Sequence, residues 1–320
     1  MVEMAPLQAL EREYPLIDSN FRGFCASRHI FTVEDFLVHD LHALEAFAEQ
    51  HYAPDKLKQG ISQIFSIIDS QHRPWLHGLE LLEDAEQNKC ILSAGWESID
   101  VLLQGGLREG HVTELVGPSS SGKTQVCLQA AAHVARNYSG TVMYFDSGNS
   151  FSPKRIAEFL SQSSDPANTQ VNKTVQRVMR SIVCHSIFDI FTLLDLLHQL
   201  INNFKSQMGS RIRLLVIDSL SSLIAPVLGG GGTHGHALMV TAGFLLKELA
   251  HEHNLCILVT NHVVGGEGGV SKPALGESWK STPHVRLLMS RYGATNGSSC
   301  VSILKHPYLA TGKTMEIKII

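Results

Sequence analysis

The sequence predicts an α/β protein with a mainly parallel central sheet, preceded by a small helical domain. From Cys90 onward, short apolar runs rich in β-branched residues alternate with longer segments of helical periodicity. A glycine-rich loop follows the first long run of this kind and opens a helix. Before Cys90 the pattern is helical and acidic instead. Strand and helix in repetition place helices on both faces of a parallel sheet.

The acidic first part of the chain predicts a separate domain. Residues 1–72 carry five Lys or Arg against eleven Asp or Glu, whereas residues 91–320 carry nineteen against fifteen. The segment 32–49 is typical of short helices, with Thr32 as an N-cap and Asp35 three residues later. The expected organisation is a small helical domain over 1–72, a linker over 73–90 and the larger α/β domain over 91–320.

The linker combines punctuating Pro and Gly with acidic and apolar residues, in the stretch HRPWLHGLELLEDAEQNK. Trp75, Leu79, Leu81 and Leu82 are the apolar side chains through which we expect it to make its contacts. They either dock on a partner or cover the surface of their own domain, and the residues leave both interpretations open.

Eight apolar runs in the larger domain have the length and composition of strands. They are 112–116, 141–145, 181–184, 214–217, 255–260, 285–289, 300–304 and 315–320. Helical segments separate the first five, and apolar spacing marks helices over 189–204 and 236–253. The last three runs have no long helices between them, so we expect an antiparallel edge.

Composition limits the functions that the chain can have. No run of 18 apolar residues occurs, so no membrane span is predicted. The formal net charge of −4 provides no basic field that would steer nucleic acid. Any contact with DNA should therefore lie on local basic loops of the larger domain.

A phosphate-binding loop is the strongest functional motif. GPSSSGKT fits the pattern GxxxxGK[ST], and it lies between a strand-like run and a helical segment. Amides at the start of the helix would face the phosphates, Lys123 would neutralise β- and γ-phosphate oxygens, and Thr124 would ligate Mg²⁺. The expected nucleotide contacts are Gly117, Pro118, Ser119, Ser120, Ser121, Gly122, Lys123 and Thr124.

A second motif, LLVIDS, delivers Asp218 at the end of an apolar run, 95 residues after Lys123. Beside the loop, this carboxylate would bind Mg²⁺ or its water shell. Many buried strands end in Asp, so the motif carries weight only as the partner of the loop. Together they predict a site for ATP and Mg²⁺ with Thr124 and Asp218 as the metal contacts.

These motifs resemble the eukaryotic RecA-like recombinase family. GHVTELVG, GKTQVCLQAA, LLVIDSLSSLIAP and CILVTNHVV look like its ATPase core, and the likeness covers residues 91–310. KPALGESW, and TNH where the family usually has TNQ, are similar to the D-type paralogues, which are mediators that assist the main recombinase. The resemblance implies a RecA-like P-loop ATPase core, with the acidic helical start as the family's small N-terminal domain.

The resemblance also implies partners and a location. It implies assembly with related paralogues in a heteromeric complex, contact with single-stranded or branched DNA, and residence in the nucleus. The family's DNA-binding loops correspond to 228–236, which is glycine-rich, and to 263–283, which carries Lys272 and Lys280, with Arg286 just beyond. Loops that stay mobile until bound are a common device for single strands. The alternative for the first loop, 228–236, is that it is only a flexible connector.

The stretch VMYFDSGNS departs from the family at the catalytic position. In strand-exchange recombinases the corresponding strand ends in Asp-Thr-Glu-Gly, and the Glu positions the attacking water; Gly148 takes its place here. Glycine has no side chain that could act as a base. Asp146 is a candidate substitute, although its place at the strand end should direct the carboxylate elsewhere. We therefore expect ATP binding with feeble hydrolysis.

Two further positions carry roles that the resemblance implies. His262 stands where the family has a Gln that senses the γ-phosphate, and histidine could exchange a hydrogen bond there and titrate near neutrality. The alternative is a spacer whose ring merely packs. Arg155 falls where the family places an arginine against the adenine, but on sequence alone it is equally a solvated helix residue.

The family's filament contact, Phe-x-x-Ala, does not occur in this sequence. Trp75 or Leu79 to Leu82 could replace it and favour particular partners over self-assembly. Two functions are consistent with these features. The first is an ATP-binding recombination mediator subunit, and the second is an active DNA-dependent ATPase that performs strand exchange itself. Gly148 and the missing motif favour the first.

Overall fold

A computed structural model describes residues 6–71, 76–87, 89–162, 170–205, 211–229, 233–265, 271–291 and 298–318. The chain divides into two compact units, Met1–Glu83 and Asp84–Ile320. The division falls inside the predicted linker 73–90, within a helix over Gly78–Gln87. Trp75 lies outside the described residues.

The first unit is helical. Its core buries Phe21, Phe24 and Phe36, and the Phe21 ring packs so closely that a Cβ at Gly60 would lie 2.5 Å from it. The helices, of which the last continues into the second unit, are α1 (Leu7–Leu10), α2 (Ser19–Ala26), a 3₁₀ helix (Glu34–Val38), α3 (Leu41–Glu49), α4 (Pro54–Gln71) and α5 (Gly78–Gln87).

Thr32 and Asp35 form the reciprocal bonds expected of a helix start. Asp35 Oδ2 accepts the Thr32 N–H at 2.8 Å, and Thr32 Oγ1 accepts the Asp35 N–H at 3.3 Å. The 3₁₀ helix that they open is short, and Asp40 then caps α3 by accepting the His42 N–H at 2.9 Å. The segment 32–49 is thus two helices.

The second unit alternates strands and helices. Its elements are β1 (Ile91–Leu92), α6 (Glu97–Leu102), β2 (Leu107–Arg108), β3 (Val112–Gly117), α7 (Lys123–Asn137), β4 (Thr141–Asp146), α8 (Pro153–Gln162), α9 (Gln170–Arg180), β5 (Ile182–Ser186), α10 (Ile190–Lys205), β6 (Ile212–Asp218), α11 (Leu220–Leu228), α12 (Thr233–Glu252), β7 (Cys256–Gly265), β8 (Ser271–Pro273), α13 (Gly276–Trp279), β9 (Val285–Arg291), β10 (Ser298–Lys305) and β11 (Thr314–Lys318).

The large sheet has the strand order β11-β10-β9-β3-β7-β6-β4-β5, with β8 paired to β7 outside this path. The pairs from β9 through β5 are parallel, and β9–β10 and β10–β11 are antiparallel. The predicted α/β fold with a mainly parallel sheet and an antiparallel edge is confirmed.

Helices cover both faces of this sheet. On one face α7, α8 and α9 pack against strand residues such as Tyr144 and Val216, and on the other α10, α11 and α12 pack against Phe145 and Ile217. Neighbours along one strand alternate between the faces. Because β3, β7, β6 and β4 run parallel, their carboxyl ends meet at one edge of the sheet, where α/β proteins bind ligands.

In the described ranges, no helix is both long and apolar enough to cross a bilayer.

The segment 263–283 is more ordered than a loop. β7 continues to Gly265 and forms a hairpin with β8, and α13 follows. Residues 266–270 lie outside the described part of the chain, as do residues 230–232 of the other predicted DNA-binding loop.

Candidate nucleotide site

The loop between β3 and α7 adopts left-handed backbone at two positions. Ser120 has φ 61° and Gly122 has φ 97°, and the second value is one that glycine adopts at little cost. A Cβ at Gly117 would lie only 2.4 Å from the Met289 carbonyl oxygen. A loop of this kind before a helix start forms a concave group of N–H donors for phosphate.

A cavity of about 510 Å³ lies beside this loop, at the carboxyl ends of the strands. That volume lies in the range of small-molecule sites. The turn after β4 and the ends of β6, β7 and β9 contribute to its wall. The loop and the start of α7 supply Ser119, Ser120, Gly122, Lys123, Thr124 and Gln125. The predicted contacts Gly117, Pro118 and Ser121 belong to the loop but do not line the cavity.

The ammonium group of Lys123 is held by the loop itself. Nζ donates to the carbonyl oxygens of Gly117 at 2.7 Å and Pro118 at 2.8 Å. Burial lowers the pKa of this amine, while the negative charge of Asp218 opposes that effect. A cation positioned in this way can neutralise phosphate oxygens.

Asp218 ends β6 on the cavity wall, where two hydroxyl groups orient its carboxylate. Oδ1 accepts a hydrogen bond from Thr260 Oγ1 at 2.6 Å, and Oδ2 accepts one from Tyr144 at 3.1 Å. Ser150 Oγ lies 3.4 Å from Oδ2. Thr124 lines the same cavity. A hydroxyl and a carboxylate on one wall suit Mg²⁺, which takes oxygen ligands and keeps several waters. The residues present therefore fit ATP with Mg²⁺.

The turn after β4 presents Gly148 to the cavity, and not a carboxylate. The buried Asp146 carboxylate accepts four bonds from its own turn: the N–H groups of Gly148 at 3.1 Å, Ser150 at 3.1 Å and Phe151 at 2.9 Å, and the Ser150 hydroxyl at 3.2 Å. Gly148 lines the cavity, and Asp146 does not. Apart from Gly148 itself and its two chain neighbours, no described atom lies within 4 Å of a Cβ built at this position. Asp146 thus stabilises the turn, and its role as a base stays a prediction.

Three serines form a cluster on the same wall. Ser147 Oγ accepts the Ser219 N–H at 2.7 Å and lies 2.6 Å from Ser222 Oγ, which also donates to the Ser219 carbonyl at 2.8 Å. These hydroxyls can orient a water molecule, but they cannot take its proton as a carboxylate would. No motif in the sequence marks this cluster, because its members come from two separate strand ends.

His262 joins the cavity wall to the β7–β8 hairpin. Its N–H donates to Ser221 Oγ at 3.0 Å, and its carbonyl accepts the Ala274 N–H at 2.9 Å. Burial, and then the charge of Lys123, lower the pKa of the ring, while Asp218 opposes the shift. The ring is therefore neutral at pH 7 and can both donate and accept one hydrogen bond.

Arg155 reaches the cavity only through a neighbour. Its Nε donates to Gln125 Oε1 at 2.7 Å, its Nη1 donates to Glu158 at 2.9 Å, and its guanidinium lies 4.4 Å from the Phe159 ring centre. Gln125 lines the cavity, and Arg155 does not. Contact between Arg155 and an adenine stays a prediction.

The sequence matches known proteins over most of its length. The Rad51 family model matches residues 86–308. The chain belongs to the Rad51 family. It is 36% identical to DNA repair protein RAD51 homolog 4 of Bos taurus over 294 residues, which cover 89% of this chain and 87% of that protein. The Mus musculus protein of the same name is 37% identical over 252 residues, or 76% and 75% of the two chains. A probable DNA repair protein RAD51 homolog 4 of Dictyostelium discoideum is 29% identical over 266 residues, or 73% of each chain.

Two residues from late strands complete the cavity of this Rad51-family core. Arg291 ends β9 and adds an exposed cation, and Ser299 lies on β10. Ser299 Oγ donates to the Ser121 carbonyl at 3.3 Å and so ties β10 to the phosphate loop. No motif marks either residue, because the pairings of β9 with β3 and of β10 with β9 bring them to the site.

A fully buried carboxylate connects the phosphate loop to the segment 263–283. Glu114 of β3 accepts hydrogen bonds from Asn261 Nδ2 and Trp279 Nε1, both at 2.8 Å, and from Arg286 Nε. Asn261 precedes His262, and Trp279 ends α13. The later part of the predicted DNA-binding segment is therefore anchored to the strand that leads into the loop.

Proposed function

We propose that this chain is an ATP-binding mediator subunit of the D-type Rad51 paralogues, acting in homologous recombination and DNA repair in the nucleus. It assembles with related paralogues, binds single-stranded or branched DNA, and supports the filament of the main recombinase. The names of its relatives, DNA repair proteins, support the process. KPALGESW and TNH support the D-type assignment.

One observation carries the proposal: the cavity has the groups that bind ATP but no carboxylate at the position of Gly148. Lys123 and the loop would hold the phosphates, and Thr124 and Asp218 would hold Mg²⁺. The metal, when bound, neutralises phosphate charge. With Gly148 open and Asp146 bonded within its own turn, ATP serves as a bound ligand that gates assembly, and turnover is weak.

An exposed apolar patch on α5 supports assembly with a partner. Leu79, Leu81 and Leu82 are 65%, 51% and 54% exposed. Acidic residues of the same helix surround them. Their exposure favours docking on a partner over coverage of their own unit. For DNA contact, Lys272 and Lys280 are exposed in the segment that Trp279 anchors.

The test follows ATP binding and hydrolysis in one purified sample, with and without single-stranded DNA, and uses Lys123→Ala as the blank. We expect saturable ATP binding that the blank loses, DNA affinity that falls with salt, and little hydrolysis. Rapid hydrolysis that disappears in the blank, or a homogeneous filament of this chain alone on DNA, would instead support the strand-exchange ATPase.

A further inference from the structure

A second cavity, of about 470 Å³, lies between α13 and the strands β9 and β10. Its wall includes Lys272, Lys280, Arg286 and Lys305, together with Glu277 and Leu304. In the part of the chain that the structure describes, no residue lines both this cavity and the nucleotide cavity. It is therefore a separate site.

Positive charge exceeds negative charge at this cavity. Glu277 is the carboxylate on the described wall, and its side chain is 90% exposed and lies 3.4 Å from Lys280. Lys247 adds a fifth cation nearby, because its Nζ donates to the Ser281 carbonyl at 3.2 Å. Burial, followed by the charges of Lys247 and Arg286, lowers the pKa of Lys305. The part of this shift that Lys247 and Arg286 cause, against the opposing charge of Glu114, indicates a positive local potential, which an anion would relieve.

Arg286 supplies an unused donor at the buried side of the cavity. Its side chain is 5% exposed, and its Nε bonds to Glu114. Its Nη2 is buried and, within the described ranges, has no hydrogen-bond partner. A buried donor without an acceptor costs free energy. Arg286 lines the cavity, so an anion there would lie beside its guanidinium.

The wall of the cavity is built to hold its shape. Lys305 Nζ donates to the carbonyl oxygens of Lys280 at 3.1 Å, Ser281 at 3.3 Å and Pro283 at 2.6 Å. These bonds fix the chain between α13 and β9. Lys305 is thus largely committed to the wall, and Arg286, Lys272 and Lys280 are the donors available to a ligand.

We infer that this cavity binds a phosphate group through Arg286, Lys272 and Lys280. A guanidinium beside ammonium groups is the side-chain set that proteins use for phosphate. The volume leaves room for whatever carries the phosphate. If the carrier is a nucleic-acid strand, the inference deepens the proposed DNA contact and rests on it. A free phosphate compound would use the same donors.

Phosphate binding is tested on the full chain with Lys123→Ala, which removes the cation of the nucleotide loop. Inorganic phosphate is titrated at constant ionic strength, and the melting temperature is followed. Lys272→Gln with Lys280→Gln is compared with Lys313→Gln with Lys318→Gln, which removes the same charge from exposed lysines elsewhere. The second pair corrects for general stabilisation by phosphate. The same comparison without Lys123→Ala guards against a folding defect of that variant.

We expect a saturable rise in melting temperature in the Lys313/Lys318 variant. In the Lys272/Lys280 variant the midpoint should move to about tenfold higher phosphate, as expected for the loss of a charged hydrogen bond. Equal responses of the two variants, or no saturation in either, would overturn the inference.

A labelled single-stranded oligonucleotide identifies the carrier. If the phosphate belongs to a strand, the Lys272/Lys280 variant binds the oligonucleotide more weakly than its control, and its salt slope falls by about 1.4 for two lost contacts. If phosphate distinguishes the variants but the oligonucleotide binds both alike, the cavity takes a free phosphate compound. In that case the inference stands, and the DNA contact proposed for this segment fails.

Discussion

The indole N–H of Trp279 donates to Glu114 Oε1 at 2.8 Å, and this bond joins the last turn of α13 to the strand that leads into the phosphate loop. The other Glu114 oxygen takes Arg286, so the buried charge is paired. Asn261, which also bonds Glu114, is adjacent to His262 on the cavity wall. A change at the nucleotide cavity therefore has a direct structural route to the predicted DNA-binding segment.

Replacing Trp279 by Phe should destabilise the protein by about 1–3 kcal/mol, because one Glu114 bond is lost in a buried site. Trp96→Phe is a matched control, since Trp96 Nε1 is buried and has no partner among the described residues. Denaturant unfolding measures both free energies. An equal loss in the two variants would show that ring volume, and not the hydrogen bond, accounts for the effect.

Replacing Asp146 by Asn should loosen the turn after β4. The amide keeps one acceptor oxygen where the carboxylate accepts four bonds, so we expect a loss of about 1–3 kcal/mol of unfolding free energy. The single-turnover hydrolysis rate at saturating ATP should not change. A variant of unchanged stability that loses its residual hydrolysis would assign the base to Asp146.

Replacing Asp218 by Asn should reduce the gain in ATP affinity that Mg²⁺ provides. Loss of a partner in the outer shell of a metal site typically costs 10–100-fold in metal affinity, and we expect a change of about tenfold if Asp218 holds the water shell of Mg²⁺. Equilibrium binding of ATP is measured with Mg²⁺ and with a chelator. Asp195→Asn, on the exposed face of α10, should match the unchanged protein. An equal Mg²⁺ effect in both variants would exclude Asp218 from the metal site.

The stacked pair His111 and His284 should make the protein less stable in acid. Burial lowers the pKa of each ring to about 4. These values lie below the unfolded value of about 6.5. The contribution of the two neutral rings to the unfolding free energy is therefore complete above pH 6.5 and is lost as pH falls towards 4. His284 Nδ1 also accepts the Val112 N–H at 2.9 Å, which protonation would prevent.

The check is the unfolding free energy between pH 4 and pH 6.5. His111→Gln should reduce its pH dependence by as much as one bound proton relative to the unchanged protein. Identical slopes in the variant and the unchanged protein would contradict the assignment.

The fold was predictable where the signal is local. β3, β4, β6 and β7 follow apolar runs of strand length, and the phosphate loop is a contiguous motif. β8 and α13 were missed, because elements of three and four residues carry little periodicity. They form through the β7 hairpin and through the burial of Trp279, which are tertiary effects.

The candidate site was predictable only in its contiguous parts. Lys123, Thr124 and Asp218 were found from spacing, and the structure places all three on one cavity. Arg291 and the serine cluster depend on sheet order and on pairs of residues far apart in the chain. Glu114 carried one signal, a charge within the apolar run VTELV, which implies a buried partner.

Single-turnover ATP hydrolysis by Gly148→Glu tests the central claim most directly. Gly148 faces the cavity, and the described atoms leave space for a side chain there, so a glutamate could reach a water molecule. Gly148→Gln is the matched control, because it has the same length but no base. We predict a rate increase of about 10²–10⁴-fold for Glu and none for Gln. An unchanged rate in Gly148→Glu, or an equal increase in Gly148→Gln, would contradict the account in which the missing carboxylate limits hydrolysis.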